Sequence, residues 1–262
     1  MEGIPDARRL RHLVRPDRPR AEPTGTPQCC VLVPVGSTEQ HGPHLATGTD
    51  SILAAAVCER AARLLTTEGR PAAVTPAIWT GLTGHHTGFG GTFTLSLATF
   101  SALIRDICAS IRGAGFSDIV LVNGHGGNMA ALWAVATDIS VRSGQTVWST
   151  TYFVEAATGI AAELESQSSL QHACEAETSM IWALSPDQVR QDRLTDGPGF
   201  DMAASMQPRL RAFEPFSNLT ASGVSGFARR ATPEKGERLL ASAARILASS
   251  LVRRNTPSPT ES

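Results

Sequence analysis

The chain has 262 residues, of which 42% are hydrophobic and 18% are charged, and its formal net charge at pH 7 is −1. These values predict a globular protein with a sizeable core. The near-neutral charge gives no indication of a nucleic-acid partner or of binding to an anionic membrane. The five cysteines form no CxxC pair, which argues against a disulfide scaffold or a zinc knuckle. We find no apolar leader and no 18-residue apolar run, so we expect a cytoplasmic protein without a membrane span.

Strand and helix patterns alternate along most of the chain. Residues 1–28 are rich in Arg and Pro and are predicted to form an N-terminal arm. Apolar runs predict strands at 29–35, 72–78, 118–122 and 145–153. Helical spacing of apolar residues predicts helices at 51–65, 97–113, 129–142, 177–184 and 233–253. Residues 254–262 are polar and are predicted to be a disordered tail.

Repeated strand–helix units with fully apolar strands predict an α/β fold with a mostly parallel sheet covered on both faces. We expect one domain, over residues 29–253. Ligands of such sheets bind beyond the carboxyl ends of the strands. Two loops rich in ionisable or glycine residues, 36–50 and 123–128, follow predicted strands at that edge.

The first loop, GSTEQHGPHLATGTD, contains Glu39, His41, His44 and Asp50. Carboxylates and imidazoles are the donors that borderline divalent metals prefer. Glu39 and His41 share a face if the segment is extended. Asp50 opens the next predicted helix, and its two oxygens can bridge two metal ions. The alternative is that the carboxylates cap backbone N–H groups while His41 packs in the core.

The second loop, NGHGGN (123–128), is a strand-to-helix turn in which glycines allow the backbone to approach a ligand closely. It lacks the lysine of a Walker loop, and its glycine spacing does not match GxGxxG. We therefore interpret His125 as a metal ligand and not as part of a phosphate-binding loop. The alternative is a tight turn with an incidental histidine.

The third motif is HACEAETS (172–179). Glu175 and Glu177 are too close in sequence to share a helical face, so we expect them to have different roles. One can complete a metal site, while the other caps the helix or orients a ligand. His172 is a candidate general acid or base. The alternative is a charged first turn that the helix dipole favours.

The fourth motif, GHHTGFGGT (84–92), carries two adjacent histidines in a glycine-rich loop. Adjacent side chains on an extended chain point in opposite directions. We therefore expect at most one of His85 and His86 to face a substrate. A surface loop is the alternative.

These four motifs, in this order, resemble the creatininase (creatinine amidohydrolase) family over roughly residues 29–250. The resemblance implies a three-layer α/β/α sandwich, two divalent metal ions (zinc, manganese or both) and a homohexamer. It also implies four metal ligands with Asp50 as the bridge: Glu39, His41, Asp50 and His125. Creatininase itself has a further glutamate two residues after the histidine, where this chain has Gly127. We predict Glu175 as the replacement, with Glu177 as the competitor.

The resemblance implies an amidohydrolase that cleaves a non-peptide C–N amide bond, cyclic amides included, by metal-activated hydroxide. His172 and Glu177 are the predicted catalytic residues, and the predicted substrate is a small-molecule amide. Creatinine is not expected, because Gly126 stands where creatininase has a tyrosine. Other branches hydrolyse a formamide, trim a mycofactocin-type peptide or open a cyclic ketone. A peptidase is therefore the alternative, and a non-catalytic metal-binding scaffold is a third hypothesis.

Overall fold

The computed structural model describes residues 29–199 and 212–254. The predicted N-terminal arm, residues 1–28, lies outside the described residues. So does the predicted tail beyond Arg254. The domain boundaries at these two ends therefore stay predictions.

The described chain contains strands and helices in regular alternation. The strands are β1 (Cys30–Val35), β2 (Ala72–Val74), β3 (Asp118–Asn123) and β4 (Val147–Thr151). The helices are α1 (Thr49–Thr67), α2 (Leu97–Gly113), α3 (Met129–Ser143), α4 (Tyr152–Glu155), α5 (Ala157–Ala161), α6 (Glu175–Leu184), α7 (Phe216–Leu219) and α8 (Pro233–Arg253). Short 3₁₀ turns lie at Gly84–His86, Gly126–Asn128, Pro186–Gln188, Gln191–Arg193 and Ala228–Arg230.

Each predicted strand and helix has a counterpart within a few residues of its predicted bounds. The largest difference is β2, which ends at Val74 although the apolar pattern extends to Ile78. Pro76 lies two residues further on and has no N–H to donate to a neighbouring strand. The chain returns to the sheet only at Ile78, which forms an isolated parallel bridge with Val35.

The four strands form one parallel sheet in the order β2-β1-β3-β4. All six residues of β1 are buried, because helices cover both faces of the sheet. Alternate residues face opposite sides. Leu32 and Val120 belong to a core shared with α1, α6 and α8, while Val33 and Leu121 belong to a second core shared with α2 and α3. This arrangement confirms the predicted three-layer α/β/α sandwich in a single domain.

Parallel pairing places the ends of β1 and β3 side by side, with Val35 opposite Asn123. The loops that follow these strands therefore leave the sheet at the same edge. The first turn of α1 begins there as well. Within the described ranges, none of the helices is long and apolar enough to cross a membrane.

Candidate metal centre

Four segments bring ionisable side chains together at the carboxyl edge of the sheet. The loop after β1 supplies Glu39 and His41, the first turn of α1 supplies Asp50, the loop after β3 supplies His125, and the first turn of α6 supplies Glu177. All five side chains are buried. We call these five residues the metal cluster.

The first half of the metal cluster is formed by Glu39, Asp50 and His125. His125 Nδ1 lies 3.1 Å from Glu39 Oε2 and 3.0 Å from Asp50 Oδ2. One donor atom from each residue lies within 4.8 Å of the others, which is close enough to hold one metal ion. Ser37 Oγ donates a hydrogen bond of 2.7 Å to Asp50 Oδ2 and fixes that carboxylate.

The second half lies on the other side of Asp50. His41 Nε2 is 3.1 Å from Asp50 Oδ1 and 3.8 Å from Glu177 Oε2. His41, His172 and Glu177 form a further group whose donor atoms lie within 4.8 Å of one another. The two oxygens of Asp50 thus face different donor groups, which is the placement that a bridging carboxylate requires.

Backbone carbonyl groups orient both imidazoles of the metal cluster. His125 Nε2 lies 3.2 Å from the Leu82 carbonyl oxygen, and His41 Nδ1 lies 3.2 Å from the Glu39 carbonyl oxygen. A carbonyl oxygen can only accept, so these two ring nitrogens carry hydrogens. In the neutral rings, the opposite nitrogens then present lone pairs to the carboxylates. Metal-binding histidines are held in this way.

Two atoms of the metal cluster are fully buried and have no hydrogen-bond partner among the described residues, namely Glu39 Oε2 and His41 Nε2. Unpaired polar atoms are costly to bury unless a further group satisfies them. A divalent cation binds carboxylate oxygen and imidazole nitrogen. The donor set and its unpaired atoms therefore fit a bound metal.

The pKa values of the cluster residues also indicate that the buried carboxylates are stabilised by nearby positive charge. Burial opposes the charged form of Asp50, but His41 and His125 hold the pKa of Asp50 well below its usual range. Burial likewise opposes the charged form of His41, yet the carboxylate of Asp50 raises the pKa of His41 to about 10. Burial raises the pKa of Glu177 to about 8, against the opposing effect of His41. Buried carboxylates here are stabilised by nearby cations, a role that a metal ion can take.

His172 lies beside the metal cluster. Its Nε2 is 2.7 Å from the Gln40 carbonyl oxygen, to which it donates, and its Nδ1 lies 3.6 Å from Glu39 Oε1. Burial, together with the neighbouring His41, holds the pKa of His172 well below its usual range. The ring is therefore neutral, with a lone pair on Nδ1 directed at the cluster. The predicted acid–base histidine occupies a suitable position for that role.

The structure does not bring Glu175 to the metal cluster, although the sequence analysis predicts it as a metal ligand. The buried carboxylate of Glu175 forms an ion pair with Lys235 Nζ and accepts a hydrogen bond of 3.1 Å from the Glu165 N–H. Residues two positions apart on a helix point to different sides. Glu177 consequently faces His41, while Glu175 faces α8.

Gly127 occupies the position where creatininase itself has a glutamate. A Cβ atom at Gly127 would overlap the Leu82 carbonyl oxygen and His125 Nε2. These two atoms form the contact that orients His125, so this loop has no space for a side chain at Gly127. The carboxylate that approaches His41 belongs to Glu177 instead.

The sequence analysis assigns no role to Gln40 and leaves the roles of His85 and His86 open. His86 is buried, and its Nε2 lies 3.5 Å from Glu39 Oε1. The ring of His85 stacks on the ring of His125, with the centroids 5.5 Å apart. The paired histidines of the fourth motif were the only sequence signal that His85 and His86 contact residues of the metal cluster. His44, also in the first loop, is buried behind the cluster and contacts Thr178 Oγ1 at 3.0 Å.

Comparison with known proteins identifies the family. The family model described as creatinine amidohydrolase matches residues 18–251. The mycofactocin precursor peptide peptidase of Mycolicibacterium smegmatis is 35% identical over 212 residues, which cover 80% of this chain and 79% of that protein. The creatinine amidohydrolase of Pseudomonas putida is 30% identical over 231 residues, covering 81% and 84% of the two chains.

A solved structure of manganese creatininase superposes with a TM-score of 0.72 at 28% identity, covering 88% of this chain and 92% of that one. The motifs of the metal cluster lie within the residues that the family model matches. The chain therefore belongs to the creatininase family of hydrolases.

Proposed function

We propose that the protein is a dinuclear metal-dependent amidohydrolase that cleaves an amide C–N bond with water. The observation that carries this proposal is the position of Asp50 between two donor groups. Its Oδ2 faces His125, and its Oδ1 faces His41.

Under this proposal, one ion would be held by Glu39, Asp50 and His125. The other would be held by His41, Asp50 and Glu177. Glu177 thus replaces Glu175 in the ligand set and changes from a predicted catalytic residue to a metal ligand. The mixed oxygen and nitrogen donors suit zinc and manganese alike. Bound divalent ions in such a site polarise a carbonyl group and lower the pKa of water.

His172 is the proposed proton carrier. Its neutral ring can take up a proton at Nδ1, on the side of the cluster, and donate that proton to the leaving nitrogen. The Gln40 carbonyl oxygen holds Nε2–H throughout, because the ring donates from Nε2 whether it is neutral or protonated. The ring therefore need not turn during the reaction.

The first candidate substrate is a peptide amide bond in a short precursor peptide. The similarity to mycofactocin precursor peptide peptidases supports this class, and one of these relatives is 35% identical to this chain. Gly126 is exposed beside the metal cluster, and a Cβ atom there would meet no atom within 4 Å. This leaves space next to His125 for an extended chain.

The second candidate is the predicted non-peptide amide, cyclic amides included. The 30% identity to a creatinine amidohydrolase supports this class. Under both candidates, a homohexamer is the expectation from the family resemblance, and light scattering of the purified protein would measure the assembly. A cytoplasmic location is the expectation from the sequence.

The test is hydrolysis by protein reconstituted separately with zinc and with manganese. The panel contains short peptides, creatinine, other lactams and N-formyl amines, with products identified by mass spectrometry. We expect two metal ions per chain and release of a peptide fragment. Turnover of lactams or formamides without peptide cleavage would favour the second candidate. Two bound metals without turnover of any compound would contradict the proposal and favour a metal-binding scaffold.

A further inference from the structure

Gln40, which lies between two of the metal-cluster residues in sequence, has a fixed orientation. Its Oε1 accepts a hydrogen bond of 2.9 Å from the Gly42 backbone N–H, which can only donate. The carboxamide NH₂ group must therefore point the other way. Gly223, at φ +74°, makes room for this arrangement, because a Cβ there would overlap Gln40 Oε1.

The NH₂ group of Gln40 determines which nitrogen of His86 carries the hydrogen. Gln40 Nε2 lies 3.0 Å from His86 Nδ1 and also 3.0 Å from His172 Nε2. His172 Nε2 carries the hydrogen that it donates to the Gln40 carbonyl oxygen, so it cannot accept, and His86 Nδ1 is the remaining acceptor. An amide NH₂ group can only donate, so His86 Nδ1 must accept. A neutral imidazole that accepts at Nδ1 carries its hydrogen at Nε2. His86 therefore presents an N–H donor to the cluster.

This assignment separates His86 from the metal ligands. Glu39, His86 and His172 lie close enough to form a third possible metal group. Metal binding through His86 Nε2 would require a lone pair there, which the Gln40 contact excludes. The distance of 3.5 Å from His86 Nε2 to Glu39 Oε1 exceeds the 2.7–3.2 Å or so of a good N–H···O hydrogen bond. The donor is thus placed next to Glu39 without a strong bond to it.

Phe216 packs against the ring of His86. Its centroid lies 4.5 Å from that of His86 and 4.9 Å from that of His172. Phe216 is itself buried and closes off this side of the two histidines. Hydrogen-bond donors held rigidly in a water-poor site are effective at stabilising developing negative charge.

We propose that His86 is a catalytic residue that donates its Nε2–H to the oxygen of the scissile carbonyl group, and that Gln40 is the positioning residue that keeps the proton on Nε2. This inference rests on the proposed amide hydrolysis and adds a protein donor to it. The donor stabilises the negative charge that develops on the carbonyl oxygen as water adds to the carbon.

The first test needs no substrate. Long-range ¹H–¹⁵N spectra of the zinc-loaded protein report the tautomer of each of the seven histidines, and a His86→Phe spectrum assigns the signal of His86. We expect His86 to be neutral with its hydrogen on Nε2. A hydrogen on Nδ1, or a metal-bound Nε2, would overturn the assignment even if the protein has no hydrolytic activity.

The second test is kinetic and uses the substrate that the hydrolysis panel identifies. His86→Phe keeps a ring against Phe216 but removes the donor, and we expect kcat to fall by about 10²–10³-fold with KM little changed. The metal content should remain two ions per chain. Loss of a metal ion, or kcat within twofold of the parent value, would overturn the proposal.

A Gln40→Glu variant tests the positioning role. A carboxylate accepts from His86 and moves the hydrogen to Nδ1, which removes the donor from the cluster. We expect kcat to fall by about 10–100-fold and the tautomer signal of His86 to change. The double variant should be no slower than His86→Phe alone, because Gln40 acts through His86. Additive losses would show that Gln40 acts through His172 instead and would overturn this part of the proposal.

Discussion

The first turn of α6 borders two charged groups, each of which contains a buried glutamate, and the two are stabilised in different ways. Glu177 belongs to the metal cluster, whereas Glu175 belongs to a second group that we call the lysine cluster: Lys235, Glu175, Glu165 and the Arg230 carbonyl group. Lys235 is the single lysine of the chain, and its side chain is 3% exposed. Its ammonium group donates to both glutamates and to the Arg230 carbonyl oxygen.

The difference between the two clusters lies in the source of the positive charge. The lysine cluster contains its own cation, and all three ammonium hydrogens have acceptors. One oxygen, Glu175 Oε2, has no hydrogen-bond partner there, but the charge is matched. The metal cluster has three carboxylates and no lysine or arginine among its members, and it leaves Glu39 Oε2 and His41 Nε2 unpaired. A buried glutamate is present in both clusters, so the missing cation is what distinguishes the candidate site.

The largest expected effect comes from Asp50→Ala, which removes the carboxylate that faces both donor groups. We expect metal content to fall from two ions per chain toward none and hydrolysis to fall to the assay background. Plasma mass spectrometry and the substrate panel measure the two quantities. Asp138→Ala is the matched control, because Asp138 is a partly exposed carboxylate on α3 that pairs with Arg142. Full activity with two metals in Asp50→Ala would rule out a bridging role.

Glu177→Gln and Glu175→Gln compare the two clusters directly. For Glu177→Gln we expect metal affinity to fall by more than the 10–100-fold or so that changes outside the ligand shell cause. For Glu175→Gln we expect unchanged metal affinity and a loss of about 1–3 kcal/mol in the free energy of unfolding, because Lys235 loses a charged partner. Metal titration and urea denaturation of both variants separate the roles. The reverse pattern would restore Glu175 as the ligand.

The smallest expected effect is an alkaline loss of stability that originates in the lysine cluster. Burial lowers the pKa of Lys235, but its hydrogen bonds to Glu165 and Glu175 outweigh burial and raise the pKa above the ordinary value of 10.5. A raised pKa means that the contribution is fully present below the unfolded pKa of about 10.4 and is lost as the pH rises through the folded value. We expect the urea midpoint to fall over that range.

Lys235→Met is the control for this pH effect. It should lower the free energy of unfolding by about 3–5 kcal/mol at pH 8, because Glu175 is left buried without its cation. It should also lose the part of the alkaline transition that depends on Lys235. Burial raises the pKa of Tyr152 and of the buried cysteines, and their part of the transition stays in both proteins. Identical alkaline profiles in the two proteins would show that the lysine cluster does not titrate in this way.

The sequence predicts the fold and most of the candidate site, but it does not predict which of the two glutamates faces His41. The alternation of apolar runs and helical spacing predicts the parallel sheet and its covering helices, and the structure confirms both. The loops after β1 and β3 could be placed at one edge because parallel strands end there together. Glu39, His41, Asp50 and His125 therefore come together as the motifs predict, although their role as ligands stays a proposal.

The sequence by itself determined the strand and helix pattern, the family resemblance and the donor types at the carboxyl edge of the sheet. These properties depend on local spacing and on neighbouring residues in the chain. Tertiary structure decided which glutamate meets His41, because Lys235, 60 positions away from Glu175, binds one of the two candidates. It also decided the hydrogen position on His86, since Gln40 reaches that ring only after the loops have packed together. The direction of each glutamate side chain follows from its position on the helix. The residue that it contacts is set by packing between distant segments of the chain.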